Sequence, residues 1–187
     1  MKLKPSICLT LITFLLILPY SVYSETNKTK RIFETKNGQI IIESISFDFD
    51  NKKSVFTFTG DVEASYKDMN ISCQKLEIFF KGSLKDSSSE ESKPSLEKVV
   101  ATESVTISIA SPEVGNATAG QAVYYPASEN IVFTGNPYVK YGDRVEGGGI
   151  GTTVTLNRKE ESFHVQGTKE NKAQAKARID SGKDEER

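Results

Sequence analysis

Between Val55 and Phe80 apolar and polar positions alternate with a period of two. Phe56, Phe58, Val62, Ala64 and Tyr66 fall on one face, and Thr57, Thr59, Asp61, Glu63 and Ser65 on the other. This is the pattern of a half-buried antiparallel strand. Gly60 interrupts it where a strand would bend. After a polar turn at Lys67-Asp68, a second strand returns with Ile71 and Cys73, then Leu76, Ile78 and Phe80. Its apolar set changes parity near Gln74-Lys75. The stretch 39–50 does the same: Ile40 and Ile42 give way to Ile45, Phe47 and Phe49, with the break near Glu43-Ser44. Such breaks mark bulges or bends that re-aim a strand. Asn51-Lys52-Lys53 reads as a turn.

The phrase Phe58-Thr59-Gly60-Asp61-Val62 returns as Phe133-Thr134-Gly135-Asn136-Pro137, and in weaker form as Ala101-Thr102-Glu103-Ser104-Val105. One two-strand unit is thus written repeatedly, and stacked units bury their apolar faces against their neighbours. Val105, Ile107 and Ile109 share a face with Ala101. Small residues fill 114–125, 126–129 reads as a turn, and 130–141 opens the third unit. The returning strand 145–156 carries Gly147, Gly148, Gly149 and Gly151, which argues for close backbone approach or strong bending. Phe163 and Val165 predict a last short strand.

These elements define an all-β domain over 39–167. Residues 25–38 are charged and aperiodic, and are expected to be a flexible lead-in. The Ser/Glu/Lys-rich stretch 82–94 reads as a mobile loop, and the charged tail 168–187 as disordered. A sheet of hairpins has one wide apolar face, and here no helix covers it. The solutions are a second sheet or a roll of the sheet on itself. A roll has a filled core, or it stays open enough to hold lipid chains.

Composition narrows the function. The 187 residues suit one domain of ordinary size. With 24 basic and 25 acidic residues, a net charge of -1 and no basic stripe, nucleic acid is not an expected partner. Residues 1–24 read as a signal peptide. Lys2 and Lys4 precede an apolar run from Ile7 to Leu18, Pro19 breaks it, and cleavage is expected between Ser24 and Glu25. The competing reading is an uncleaved membrane anchor. Cleavage removes Cys8 and leaves Cys73 alone, a small buried hydrophobe with no disulfide partner.

Catalytic chemistry has little to work with. His164 is the only histidine, which rules out multi-histidine metal sites and leaves one position for any triad. Asp48 and Asp50 share a polar strand face, where a solvated surface is the default reading over acid/base work. The glycine run at 147–151 is not a phosphate loop opening a helix. Asn27, Asn70 and Asn116 match a glycosylation triplet that arises often by chance. No enzymatic activity, metal or cofactor is expected.

The segments Ile42-Glu43-Ser44, Phe58 to Val62, Lys98 to Ala101, Ala119 to Tyr124 and Phe133 to Pro137, in that order and spacing, resemble the OstA-like (LptA-type) family. The resemblance spans about 39–167. It departs at Asp61, where Asn is usual, at Glu103-Ser104, where Gly-Asn is common, and in the long loop 82–94. It implies an antiparallel folded-over jellyroll, or β-taco. It also implies a periplasmic lipopolysaccharide-binding transport protein of a Gram-negative-type bacterium, moving lipid from an inner-membrane complex to the outer-membrane translocon. Acyl chains would ride in the apolar interior, for which the expected contacts are Ile40, Ile42, Phe56, Phe58, Val62, Leu76, Ile78, Val105, Ile107 and Phe133. Implied partners are LptC-like inner-membrane and LptD-like outer-membrane proteins, met by edge-strand pairing through Ile41 at one end and Phe163 and Val165 at the other. A head-to-tail homo-oligomer is also implied. Two alternatives stay open: a membrane-anchored LptC-like member of the same pathway, and an exported structural or interaction module that carries no lipid.

Overall fold

The computed structural model describes residues 28–35, 38–81, 95–110, 115–142 and 145–177. All regular structure in them is strand: β1 (Thr29–Thr35), β2 (Gly38–Ser44), β3 (Ser46–Asp50), β4 (Val55–Tyr66), β5 (Met69–Lys81), β6 (Ser95–Ile109), β7 (Gly115–Tyr125), β8 (Asn130–Thr134), β9 (Tyr138–Tyr141), β10 (Val145–Gly148), β11 (Thr153–Asn157), β12 (Ser162–Gln166) and β13 (Gln174–Ala177). They form one antiparallel sheet of 13 strands, with main order β1-β2-β4-β5-β6-β7-β8-β11-β12. β9 joins β7 to β10, and β13 continues from β10. This is the all-β fold that the alternation predicts. The signal segment 1–24 and the loop 82–94 lie outside the described residues.

A crease crosses the sheet and makes it two halves. The register slips between Thr59 and Val62, between Ser72 and Lys75, and between Thr102 and Val105. β2 stops at Ser44 and β3 restarts at Ser46. Pairs β8/β9, β10/β11 and β12/β13 are likewise single strands cut at the same line. The three repeated phrases supply the bends. Gly60-Asp61 has φ +80° and +43°, Glu103-Ser104 +66° and +56°, and Gly135-Asn136 +72° and +59°. Two consecutive left-handed residues insert a bulge, after which the strand leaves at a new angle. The parity breaks in the sequence are therefore this crease. At Gly135 a side chain has no room, because a Cβ would sit 2.9 Å from the Gly120 Cα on the neighbouring strand, to which it is bonded at the crease (Gly120 N donates to Gly135 O, 2.8 Å).

One half holds β1, β2, the end of β4 after the bulge, the start of β5, the end of β6, the start of β7, β9, β10 and β13. The other holds β3, the start of β4, the end of β5, the start of β6, the end of β7, β8, β11 and β12. Their apolar faces meet in one continuous cluster from Ile40 to Leu156.

Three expectations need correction. The stretch read as a flexible lead-in supplies β1, which pairs with β2 along its whole length (Thr29↔Ser44 to Thr35↔Gly38). The tail, read as disordered, supplies β13 at Gln174–Ala177. Both look polar because they lie at the ends of the sheet, where little surface is covered. Ile41 is not on an edge, since β2 has β1 on one side and β4 on the other.

Candidate functional site

Folding the alternating strands along the crease puts every inward side chain into one apolar space. Ile42, Phe58, Val62, Leu76, Ile78, Ile131, Phe133 and Val154 are fully buried (0% exposed). Each of the interior residues expected from the sequence belongs to this cluster; Phe56 lies at its margin, half-buried and packed against it. Parity across the bulges decides the outcome. β6 shows it best: Ala101 and Val105 both face in because Glu103 and Ser104 both loop outward.

The interior carries no buried charge among the described residues. Tyrosine hydroxyls aside, its buried polar side chains among the described residues are Ser44 and Thr152. Both lie on the crease and donate to carbonyls beside the breaks: Ser44 Oγ to Ser46 O (3.0 Å) and Thr152 Oγ1 to Gly149 O (2.8 Å). Cys73 does the same, donating Sγ to Lys75 O at 3.3 Å. Burial pushes its thiol up to about 11, so it stays protonated and unreactive near neutrality.

The ends of the interior differ. At the N-terminal end Phe33 of β1 meets Phe56 (centroids 4.9 Å), Phe58 (5.8 Å) and Phe47 (6.5 Å). Phe49 stacks on Phe56 at 4.5 Å. Phe33, Phe47 and Phe56 are half-buried and Phe49 is exposed. The Arg31 guanidinium lies 5.0 Å from the Phe47 centroid. This aromatic mouth is where the apolar cluster is only partly covered. At the C-terminal end the halves close tightly. A Cβ on Gly147 would come within 2.7 Å of Val165 Cγ2 and 3.0 Å of Phe163 Cε1. Phe163 and Val165, expected as partner contacts, thus turn their side chains inward onto the core, and only the β12 backbone faces the edge.

The sheet ends in four strands that each have one neighbour: β1 and β3 at one end, β12 and β13 at the other. Their outer backbone groups lack a strand partner among the described residues. Opposite the crease, the free lips of the two halves meet at Tyr66 and Tyr124, whose ring centroids are 6.1 Å apart. Burial, then Tyr66 and Glu129, push the Tyr124 hydroxyl up to about 12.

Nothing in the described residues assembles a catalytic centre. His164 is exposed on β12 opposite Thr155. Asp48 is exposed. Asp50 caps its own turn by accepting from Lys52 N (2.9 Å) and Lys53 N (3.1 Å), and these bonds lower its pKa. No group of three or more His, Cys, Asp or Glu gathers among the described residues. Two open hollows lie on outer surfaces: one of about 560 Å³ lined by Glu43, Glu63, Ser65, Asn70, Thr106 and Ser108, and one of about 510 Å³ beside Tyr138 and Ile150. Sequence reasoning missed Phe33 and the contacts across the lips. Its one available signal was Phe33 itself, an aromatic in an otherwise charged run.

A family model described as LptA/(LptD N-terminal domain) LPS transport protein matches residues 41–162. Fifteen solved chains match in fold. One is the crystal structure of LptH from Pseudomonas aeruginosa, described as the LptA homologous periplasmic component of the conserved lipopolysaccharide transport device. It superposes with a TM-score of 0.60 at 11% identity, covering 79% of this chain and 100% of that one. The curated proteins give no match.

Proposed function

The chain belongs to the LptA/(LptD N-terminal domain) family of LPS transport proteins, and from that premise we propose that it is a periplasmic carrier that holds lipopolysaccharide acyl chains between the halves of its folded sheet. A transport family asks for binding and release, not covalent chemistry, and the chain is read as a transport protein and not as an enzyme. The observation that carries the proposal is the apolar interior, which runs from β2 to β11 without a buried charge among the described residues. Removing a dozen methylenes from water favours binding by roughly 10 kcal/mol at ~0.8 kcal/mol each. The halves pack on each other, so an acyl chain must replace existing apolar contacts. Affinity is the difference between two apolar packings, which keeps binding reversible.

The partners follow from the edges. LptC-like and LptD-like proteins, or further copies of the chain, would add strands to β1 and β3 at one end and to β12 and β13 at the other, using backbone bonds. Export through a cleaved 1–24 segment would deliver the domain to the periplasm.

The packed interior also favours a second reading, a structural module with an ordinary core. Titration of the apolar dye N-phenyl-1-naphthylamine, followed by displacement with rough-type lipopolysaccharide, separates the two. The carrier reading expects saturable dye fluorescence, stoichiometric displacement, and a melting temperature that rises with lipid. Absence of both saturable binding and lipid-dependent stability would leave the structural module.

A further inference from the structure

The two lips of the folded sheet are bolted together by charged residues far from the crease. Lys67 and Asp68 form the β4–β5 turn on one lip, Glu129 ends the β7–β8 turn on the other, and Arg158 opens the β11–β12 turn beside it. The Arg158 guanidinium donates to the Asp68 carboxylate across a sequence separation of 90 residues. Arg158 is 9% exposed and Asp68 22%, so water screens the pair poorly. Lys67 Nζ faces Glu129 Oε1 at 3.9 Å, and the Tyr66–Tyr124 contact lies just inside. Each side is braced: Ala110 N donates to Asp68 O (2.9 Å), and Arg158 N donates to Glu129 O (3.1 Å). Behind this row lie Met69 (1% exposed), Ile109 (4%) and Leu156 (1%).

We propose that the Asp68–Arg158 pair, flanked by Lys67–Glu129, is a latch that holds the lips closed, and that an acylated amphiphile is loaded sideways through this seam when the latch opens. The structure supplies the reason for a latch of charges. Apolar residues at the lips would seal the interior permanently. An ion pair holds them only while both charges are paired, and either one regains hydration when the lips part. The bulged crease is the hinge on the opposite side. The loading part of the proposal rests on the carrier reading, while the latch itself does not.

Cys73 reports on the latch without lipid, because it is 2% exposed and faces the interior beside the crease. Its alkylation by N-ethylmaleimide in the full chain, quantified on its own peptide, is compared with that in Asp68→Asn. Removing one partner of a poorly hydrated pair should raise the rate by at least about tenfold, with a denaturant dependence much shallower than that of global unfolding. Lys67→Glu, a surface change that sets two acids together, should raise it about two- to threefold, and it covers the case in which Asp68→Asn does not fold. Unchanged Cys73 protection in the folded variants, or exposure only with the steep dependence of global unfolding, overturns the latch. In a second arm, uptake of rough-type lipopolysaccharide is timed. Faster uptake in the variant supports loading through the seam. Unchanged uptake despite an exposed Cys73 overturns that route and leaves the carrier reading standing. No uptake by either protein removes the carrier reading and the loading role, with the latch still judged by Cys73.

Discussion

The crease makes opposite predictions at two equivalent positions. Glu103 occupies, in the second repeat, the place that Gly60 and Gly135 hold in the others, yet it keeps their left-handed backbone at φ +66°. For a residue with a Cβ this conformation costs about 1–2 kcal/mol. Its side chain is exposed, so Glu103→Gly loses little contact. Glycine adds about 0.4–1 kcal/mol of unfolded-chain entropy, which opposes the gain. The net expectation is stabilisation by about 0.5–1 kcal/mol. Gly135→Ala runs the other way. It acquires the left-handed penalty at φ +72° and places a Cβ 2.9 Å from the Gly120 Cα. Backbone cannot yield as a flexible side chain can, so overpacking adds about 1–3 kcal/mol, and after the entropy gain the net loss is about 2–3 kcal/mol. Urea unfolding followed by circular dichroism measures both, and for a domain of this size each kcal/mol shifts the melting temperature by about 2–4 °C. A destabilised Glu103→Gly, or a Gly135→Ala within about 0.5 kcal/mol of the parent, would refute the idea that strained residue pairs build the crease.

Phe133→Ala removes a fully buried ring (0% exposed) and should cost about 3–5 kcal/mol in the same unfolding assay. Gly147→Val should cost about 1–3 kcal/mol by overpacking against Val165, and Val165→Ala in the same chain should recover part of it, read as a coupling in a double-mutant cycle. Cys73 gives a pH prediction. Its thiol is pushed up to about 11 in the fold from an ordinary value of 9.0. Below about pH 9 both states are protonated and this contribution is intact; between about 9 and 11 the unfolded chain ionises first and stability falls. The difference between the parent and Cys73→Ala across that window should change by up to about 2 kcal/mol, and a pH-independent difference would contradict it.

How much was legible beforehand follows from where each signal resides. The crease was visible as parity breaks near Ser44 and Gln74, where a bulge shifts the alternation, and at Gly60 as a glycine interrupting a strand whose parity continues. The second repeat was harder to read, since Glu103-Ser104 adopts the bend without the glycine that usually announces one. β1 was hidden because Lys30, Arg31 and Glu34 surround its one inward aromatic, Phe33. Two of those charges find partners at the edge: Lys30 Nζ meets Glu43 Oε1 at 3.4 Å and Arg31 covers Phe47. Of the two edge strands expected, that of Phe163 and Val165 is terminal in the sheet, whereas that of Ile41 is covered by β1. Apolar side chains in a terminal strand point to the core, while edge pairing uses backbone, which leaves no mark on side-chain pattern. The Asp68–Arg158 pair could not be read locally at all, because it forms only when the folded sheet brings two distant turns together.

On the carrier reading, the inward face is a wall for lipid. Ile107 is 2% exposed and faces the interior, and its neighbour Thr106 is exposed on the outer surface. A photocrosslinking side chain at each position, activated in the native cell, is the most direct test. A lipid-lined interior gives a lipopolysaccharide adduct at Ile107 and none at Thr106. Adducts only with protein at both positions, or none at either, would contradict it and make the interior an ordinary core.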